Sequence, residues 1–556
     1  MMRHRTGLSL LALGLLAFSP LRLEAHPAHA KPVNYPYVVG FERFHSSLDD
    51  DEYLAGGGMI LLNELNCVAC HEPPRALKSQ FAGVEATNLE GTATRLGHLD
   101  LEIMVRNPRF VKRDTNMPSF FAGPDRDLAE VEALKQYLST FTYEVPPYPV
   151  GDIEAGRALY HRIGCAACHA PEVGYRPPGI PENAEIEMAG LPSVPMNLAD
   201  LYDLNTMTHF LLTPNEHRPS GRMPDFQLSL GDASNLAAYL KAGPDLVLPE
   251  NLSQALTGDT PFAKDPALAK QGEVLFQKKN CTACHTVPGR KNSRTLHRAT
   301  ALEKLPAEST GGCLSERPVG NGIPFYGLDE VQKRAIRAAL QRLDSRKRLE
   351  LAAEVDWRMK RLNCYACHER GGVGGAETAR EVYFGFETEK AIELGRWGNL
   401  PPILDDVGAK LTEDWLKRVL HGEKGGGSVR PYQSARMPVY LADKVKSFPA
   451  AFRKFDLQPK EKPDSQASAK RGKELFGASG KNCVQCHSPG PAEHRELPGI
   501  DLSTAPKRLY FSWFQSAVTN PLETLHGAPM PDVFEGGPTD PADVGSIWKY
   551  LESIGK

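Results

Sequence analysis

The sequence predicts an all-α chain of five small tandem units, and three recurrences predict it. A short cysteine motif returns at intervals of roughly one hundred residues, amphipathic segments precede and follow it, and a Met-Pro pair lies between them. A chain of 556 residues is too long for one hydrophobic core. At roughly 100 to 200 residues per domain it should hold three to five domains. Charged residues at 24% and apolar ones at 41% describe ordinary globular composition rather than disorder. A formal net charge of -3 gives no electrostatic reason to expect nucleic acid as a partner.

The chain starts with Met1-Met2-Arg3-His4-Arg5, continues with an apolar run from Leu8 to Phe18, and reaches small residues at Ala28-His29-Ala30. A basic start, a short apolar centre and an A-x-A site describe a secretory signal peptide over residues 1–30. A spanning helix would need about 20 apolar residues. Export to a bacterial periplasm is therefore expected, with no transmembrane span in the mature chain; an uncleaved N-terminal anchor is the competing reading. No cysteine follows the apolar run, so no lipid attachment is expected.

Ten of the eleven cysteines fall into five Cys-x-x-Cys-His motifs, at Cys67-Cys70-His71, Cys165-Cys168-His169, Cys281-Cys284-His285, Cys364-Cys367-His368 and Cys483-Cys486-His487. Each is the attachment pattern of a c-type haem. Two residues between the thiols let one helical turn reach both vinyl groups, and the adjoining His then sits under the iron. Structural zinc would need two such pairs converging on one metal, yet every pair here stands alone. Thioredoxin-like redox sites belong in a βαβ setting that this sequence lacks. Disulfides between cysteines three apart in one helical turn rarely form for structural reasons. Five covalent haem c groups are the expectation.

Upstream of the motifs lie amphipathic segments such as Glu154-Ala155-Gly156-Arg157-Ala158-Leu159-Tyr160, echoed by Gln271-Gly272-Glu273-Val274-Leu275-Phe276 and Arg471-Gly472-Lys473-Glu474-Leu475-Phe476. A small residue there would let another helix cross closely. Closing segments such as Ala237-Ala238-Tyr239-Leu240 and Ile547-Trp548-Lys549-Tyr550-Leu551 place aromatic and leucine side chains to pack on it. Between the two stands a Met-Pro pair: Met117-Pro118, Met223-Pro224, Met437-Pro438 and Met530-Pro531. A thioether suits haem iron as a distal ligand and raises its potential. The proline stiffens the loop that presents it. A lone methionine would be read as packing. Three of these, however, keep a register of nine positions after Pro108, Pro214 and Pro521.

With first helix, CxxCH, Met-Pro loop and closing helix, each unit resembles a class I cytochrome c domain. The resemblance implies a small all-α fold around one haem with an exposed edge, at residues 50–143, 150–243, 266–345, 346–456 and 466–556. The fourth unit departs: it lacks the glycine before its motif and carries an insertion including Gly425-Gly426-Gly427, read as a surface connection rather than a phosphate loop. Its Leu400-Pro401-Pro402-Ile403-Leu404 looks like the segment that braces the proximal His in the family. Proline-rich and polar linkers are expected at Tyr143 to Val150, Gly243 to Pro266 and Gln458 to Ser468. Asp329 to Leu362 instead reads as nearly continuous helix. Along it Lys333, Arg334, Arg337, Arg342, Arg346, Lys347 and Arg348 form a basic strip, either a solvated face or a dock for an acidic redox partner.

The third unit has Ile323-Pro324 where the others have Met-Pro, and isoleucine cannot ligate iron. Haem three is therefore expected to take Cys313 or His297 as a distal ligand, to be open and catalytic, or, with Cys313 an inert buried thiol, to have lost its ligand or to take one from another domain. The leading expectation is electron transfer between redox partner proteins. The alternative is an enzyme using haem three for peroxide or sulfur-compound chemistry, and a third is a subunit that reaches a membrane complex through a partner.

Overall fold

The structure, a computed structural model, describes residue 27 and residues 33–555 except 47–49, 79, 82, 122–126, 179, 181–190, 197–200, 243–261, 288–298, 319–322, 344–350, 386–393, 424–428, 431, 457–460, 488–498, 527 and 536–539. Apart from Pro27, the expected signal peptide lies outside the described residues, as do His297, the Gly425-Gly426-Gly427 run and Arg346, Lys347 and Arg348 of the basic strip. The chain is mostly helical. Among the described residues, paired strand is confined to an antiparallel ribbon of Glu369–Arg370 with Val373–Gly374 and to isolated bridges. No described helix is long and apolar enough to cross a membrane.

Ten helices set the architecture: α1 Asp51–Glu64, α2 Leu128–Leu138, α3 Ile153–Arg162, α4 Leu230–Lys241, α5 Pro266–Lys278, α6 Glu330–Arg342, α7 Leu351–Arg361, α8 Phe448–Phe455, α9 Ala469–Phe476 and α10 Ala542–Ile554. Most begin at a side-chain cap. Asp50, Asp127, Asp152, Ser229, Asp265, Asp329 and Ser468 each accept a hydrogen bond from a backbone N–H of the following turn.

The glycines decide which helices pair. A Cβ on Gly156 would overlap the Asn235 carbonyl of α4, and one on Gly472 would overlap the Ser546 carbonyl of α10. In both units the aromatic residue four positions after the glycine meets a closing-helix tyrosine, Tyr160 with Tyr239 and Phe476 with Tyr550, at 5.6 Å between ring centroids. The second and fifth units thus close on themselves.

The first and third do not. A Cβ on Gly58 of α1 would overlap the Ala335 carbonyl of α6, and one on Gly272 of α5 would overlap the Ala133 carbonyl of α2. Phe276 meets Tyr137 rather than an aromatic of its own sequential unit. The cores follow: Leu61, Leu62 and Leu65 pack with Leu302, Tyr326, Ile336 and Leu340, while Leu101, Leu134 and Leu138 pack with Phe276 and Val287. The expected contiguous units 50–143 and 266–345 are therefore replaced by two composite ones. The halves carry the same helix pattern, so either pairing buries equivalent surface, and the chain realises the exchanged one.

The fourth unit departs as its sequence suggests. Without a glycine, α7 lays Val355 and Met359 against Phe448 and Phe452 of α8, and the close crossing moves to Gly408, beneath the Phe452 backbone. The basic strip is partly internal: Lys333 is buried and paired with Glu330, and Arg337 donates to the Ser309 carbonyl.

Glu64, at the end of α1, ties three units together. It accepts from Arg222 Nη2 at 2.7 Å and from Arg361 Nε at 2.6 Å. Burial alone would push its carboxyl up, but the two guanidinium groups hold it down at about 2. A depressed carboxylate contributes stability above its unfolded pKa and loses it as pH falls through the folded value. Glu64→Gln should therefore cost about 3 kcal/mol at neutral pH. The difference from wild type should fade between pH 4.5 and about 2, as read by urea denaturation across that range. The exchange has its own test: a fragment of residues 33–143 should not melt cooperatively alone but should gain helical circular dichroism when mixed with a fragment of residues 262–345. Cooperative melting of the first fragment by itself would exclude the exchange.

Candidate cofactor sites

Each motif is set by a backbone reversal just before it. Asn66, Asn280, Asn363 and Asn482 have φ of 60°, 60°, 56° and 56°, and Gly164 has 120°. Only glycine and, next best, asparagine enter this left-handed region cheaply. The sequence carries this regularity, Asn or Gly directly before each first cysteine, and it went unread. The reversal ends the incoming helix and starts a single new turn in which the His N–H donates to the first cysteine's carbonyl at 2.8–3.0 Å in all five motifs. Winding the motif into one turn puts its two thiols on one side.

Every motif histidine has its Nδ1 tied to a backbone carbonyl: His71 to Thr300 at 2.7 Å, His169 to Val194 at 2.8 Å, His285 to Thr87 at 2.9 Å, His368 to Pro402 at 2.8 Å and His487 to Ile500 at 2.8 Å. That bond fixes the ring and leaves Nε2 as the nitrogen turned away from the brace. The Pro402 carbonyl comes from the segment expected to brace His368. Burial lowers His169 to about 4 and also lowers His285 and His368, favouring the neutral, ligating form. Burial also pushes the Cys165, Cys281 and Cys364 thiols up to about 12, which makes them poor thiolate ligands for a free metal ion. Among the described residues no group of three or more His, Cys, Asp or Glu side chains is placed to hold one.

Four of the five motifs share one continuous cavity of about 1770 Å³. Cys70, both cysteines and the His of the second, third and fourth motifs, and Met117, Met223 and Met437 line it. That is larger than the roughly 300–1,000 Å³ of a single small-molecule pocket, so it suits several large flat groups rather than one. Met530 lies apart, packed in the fifth unit's core with Cys483.

The sites come in two facing pairs. Asn66 Nδ2 donates to Cys284 Sγ at 2.9 Å and Asn280 Nδ2 to Cys70 Sγ at 3.6 Å, so the first and third motifs face each other reciprocally. Asn363 Nδ2 reaches Cys168 Sγ at 3.3 Å, pairing the fourth motif with the second. The Met-Pro loops pair in the same way. Ser119 and Phe325 form one antiparallel bridge and Asp225 and Val439 another, each two residues beyond the Met position.

The exchange reassigns the distal residues. His285 is braced by Thr87, and Cys281 packs in the core containing Phe120 and Phe121, so Met117 belongs with the third motif. His71 is braced by Thr300, and Cys67 packs with Cys313 and Tyr326, so Ile323 belongs with the first. The expectation that Cys313 serves the third motif is corrected accordingly. Cys313 is half-buried against the first motif's core, and burial pushes its thiol up to about 11. Ile323 is 40% exposed.

No family model, curated protein or solved structure matches this chain.

The left-handed reversal can be tested where its side chain does least. The Asn482 side chain donates to the exposed Gln485 side chain at 2.8 Å. Asn482→Ala should cost about 1 kcal/mol and Asn482→Gly almost nothing. Thermal melts of the two variants provide the comparison.

Proposed function

We propose that the chain is an exported pentahaem c-type cytochrome that carries electrons between redox partner proteins. One observation carries the reading: five CxxCH turns, each with its histidine Nδ1 held by a backbone carbonyl. In three of them a Met-Pro loop reaches the same cavity. A haem bound there would supply one-electron redox chemistry at each motif. The chain's own residues would do the rest. The paired cysteines anchor, the His and Met side chains ligate, and the apolar walls exclude water and so raise the potential.

The junctions between units support a neighbour order that differs from the sequence order. The first motif faces the third; Asn88, in the third motif's unit, bonds the Glu216 and His217 carbonyls of the second. The second faces the fourth, and the fourth meets the fifth at the Leu411–Leu509 bridge. Electrons would then pass 1–3–2–4–5, with the first and fifth motifs as termini.

The enzyme reading is favoured by one feature, the missing methionine, which now falls at a terminus, on the first motif. The ferrous protein should bind one carbon monoxide per chain. Ile323→Met should abolish that binding by supplying the ligand, and Met117→Leu should raise it to two. No binding by the wild type would remove the enzyme reading. Mass spectrometry and reductive titration test the whole proposal: five attached haems and five electrons per chain are expected, and fewer attached haems would sink it.

A further inference from the structure

Three cations stand in the cavity wall where the fourth unit meets the fifth: Lys410, Arg430 and Arg508. Lys410 ends the short helix Val407–Lys410, and Arg508 ends its counterpart Ala505–Arg508. The two turns are stitched together across the junction. Thr412 N–H donates to the Arg508 carbonyl at 2.8 Å and Tyr510 N–H to the Lys410 carbonyl at 3.0 Å. Arg508, a residue of the fifth unit, thereby lines the cavity reached by Cys364, Cys367 and His368 of the fourth.

Arg508 is 4% exposed, and its Nε has no hydrogen-bond partner. Arg430 is 7% exposed and donates to the Leu400 carbonyl at 3.2 Å. The Lys410 ammonium lies 4.5 Å over the Trp513 ring of the fifth unit. The one carboxylate acting on Arg508 is Asp501, which also caps the Ser503 N–H. Burial, then Arg430 and Arg508, lower Lys410 to about 7. Gathering three cations out of water is unfavourable unless an anion accompanies them. Guanidinium groups with a lysine match a carboxylate in shape and charge.

We propose that Lys410, Arg430 and Arg508 form one carboxylate-binding site, closed across the junction by the fifth unit, which takes the propionates of the haem on Cys364 and Cys367. The inference rests on the haem reading of the fourth motif. It makes the fourth haem's potential depend on a residue of its neighbour, because a nearby positive charge favours the reduced iron.

Arg508→Leu and Arg508→Lys in the holoprotein provide the test, with attached haems counted by mass first. One midpoint potential of the five should fall in Arg508→Leu and largely recover in Arg508→Lys, and it should be the couple that Met437→His also displaces. Should Arg508→Leu fail to fold, Lys410→Met makes the same comparison from the other side of the junction. Absence of haem at Cys364 and Cys367 would defeat the functional reading. Five attached haems with no potential moved would defeat this site alone. Inorganic phosphate distinguishes a free anion: the wild-type holoprotein should melt at a temperature independent of phosphate. A phosphate-dependent rise that Arg508→Leu removes would overturn the propionate assignment.

Discussion

Four pairs of helices cross at backbone contact, and the rest of the architecture depends on those crossings. Where Gly58, Gly156, Gly272 and Gly472 lie against a facing carbonyl, no side chain fits between the helices, so each glycine accepts only a helix that presents small atoms at that point. Ala335, Asn235, Ala133 and Ser546 provide it. Once a first helix has its closing helix, the motif at its C-terminal end and the loops before the closing helix are brought together. The crossing therefore decides which loop faces which motif.

That is why the exchange between the first and third units matters chemically as well as topologically. Two similar halves traded between neighbours leave the helix packing unchanged in kind but alter the company each motif keeps. Met117 goes to His285, and Ile323 with Cys313 goes to His71. The trade also fits the reciprocal contacts of Asn66 and Asn280 with the opposite motif's cysteines, and the bridge between Ser119 and Phe325. The second and fourth units make an equivalent bridge without exchanging anything. Facing pairs therefore do not require exchange; the exchange is laid over a pairing the fold already favours.

Much of this was legible in the sequence and some was not. Helix periodicity, the glycines of the first helices and the aromatic positions of the closing ones are local patterns, and the first and closing helices of the second and fifth units formed where those patterns put them. The departure of the fourth unit was legible for the same reason, as a missing glycine. The asparagines before the motifs were present but went unread, because their meaning lies in a backbone angle rather than a side-chain property. The choice of partner between the first and third units was beyond local reading: both halves carry the same pattern, so no periodicity distinguishes self-closure from exchange. The placing of Cys313 failed with it, since Cys313 packs with Cys67 of the first motif rather than with the third.

The junctions divide according to how far the polypeptide supplies counter-charge. At Glu64 one buried carboxylate is shared by two guanidinium groups from two other units, so each cation there has a carboxylate partner within the protein. Where the fourth unit meets the fifth, two arginines and a lysine gather in the cavity wall, and the Arg508 Nε has no hydrogen-bond partner among the described residues. The first kind of junction holds whatever occupies the cavity. The second gains its full stability only with an anion in place, so the join between the fourth and fifth units is where assembly of the chain and filling of its sites become one equilibrium.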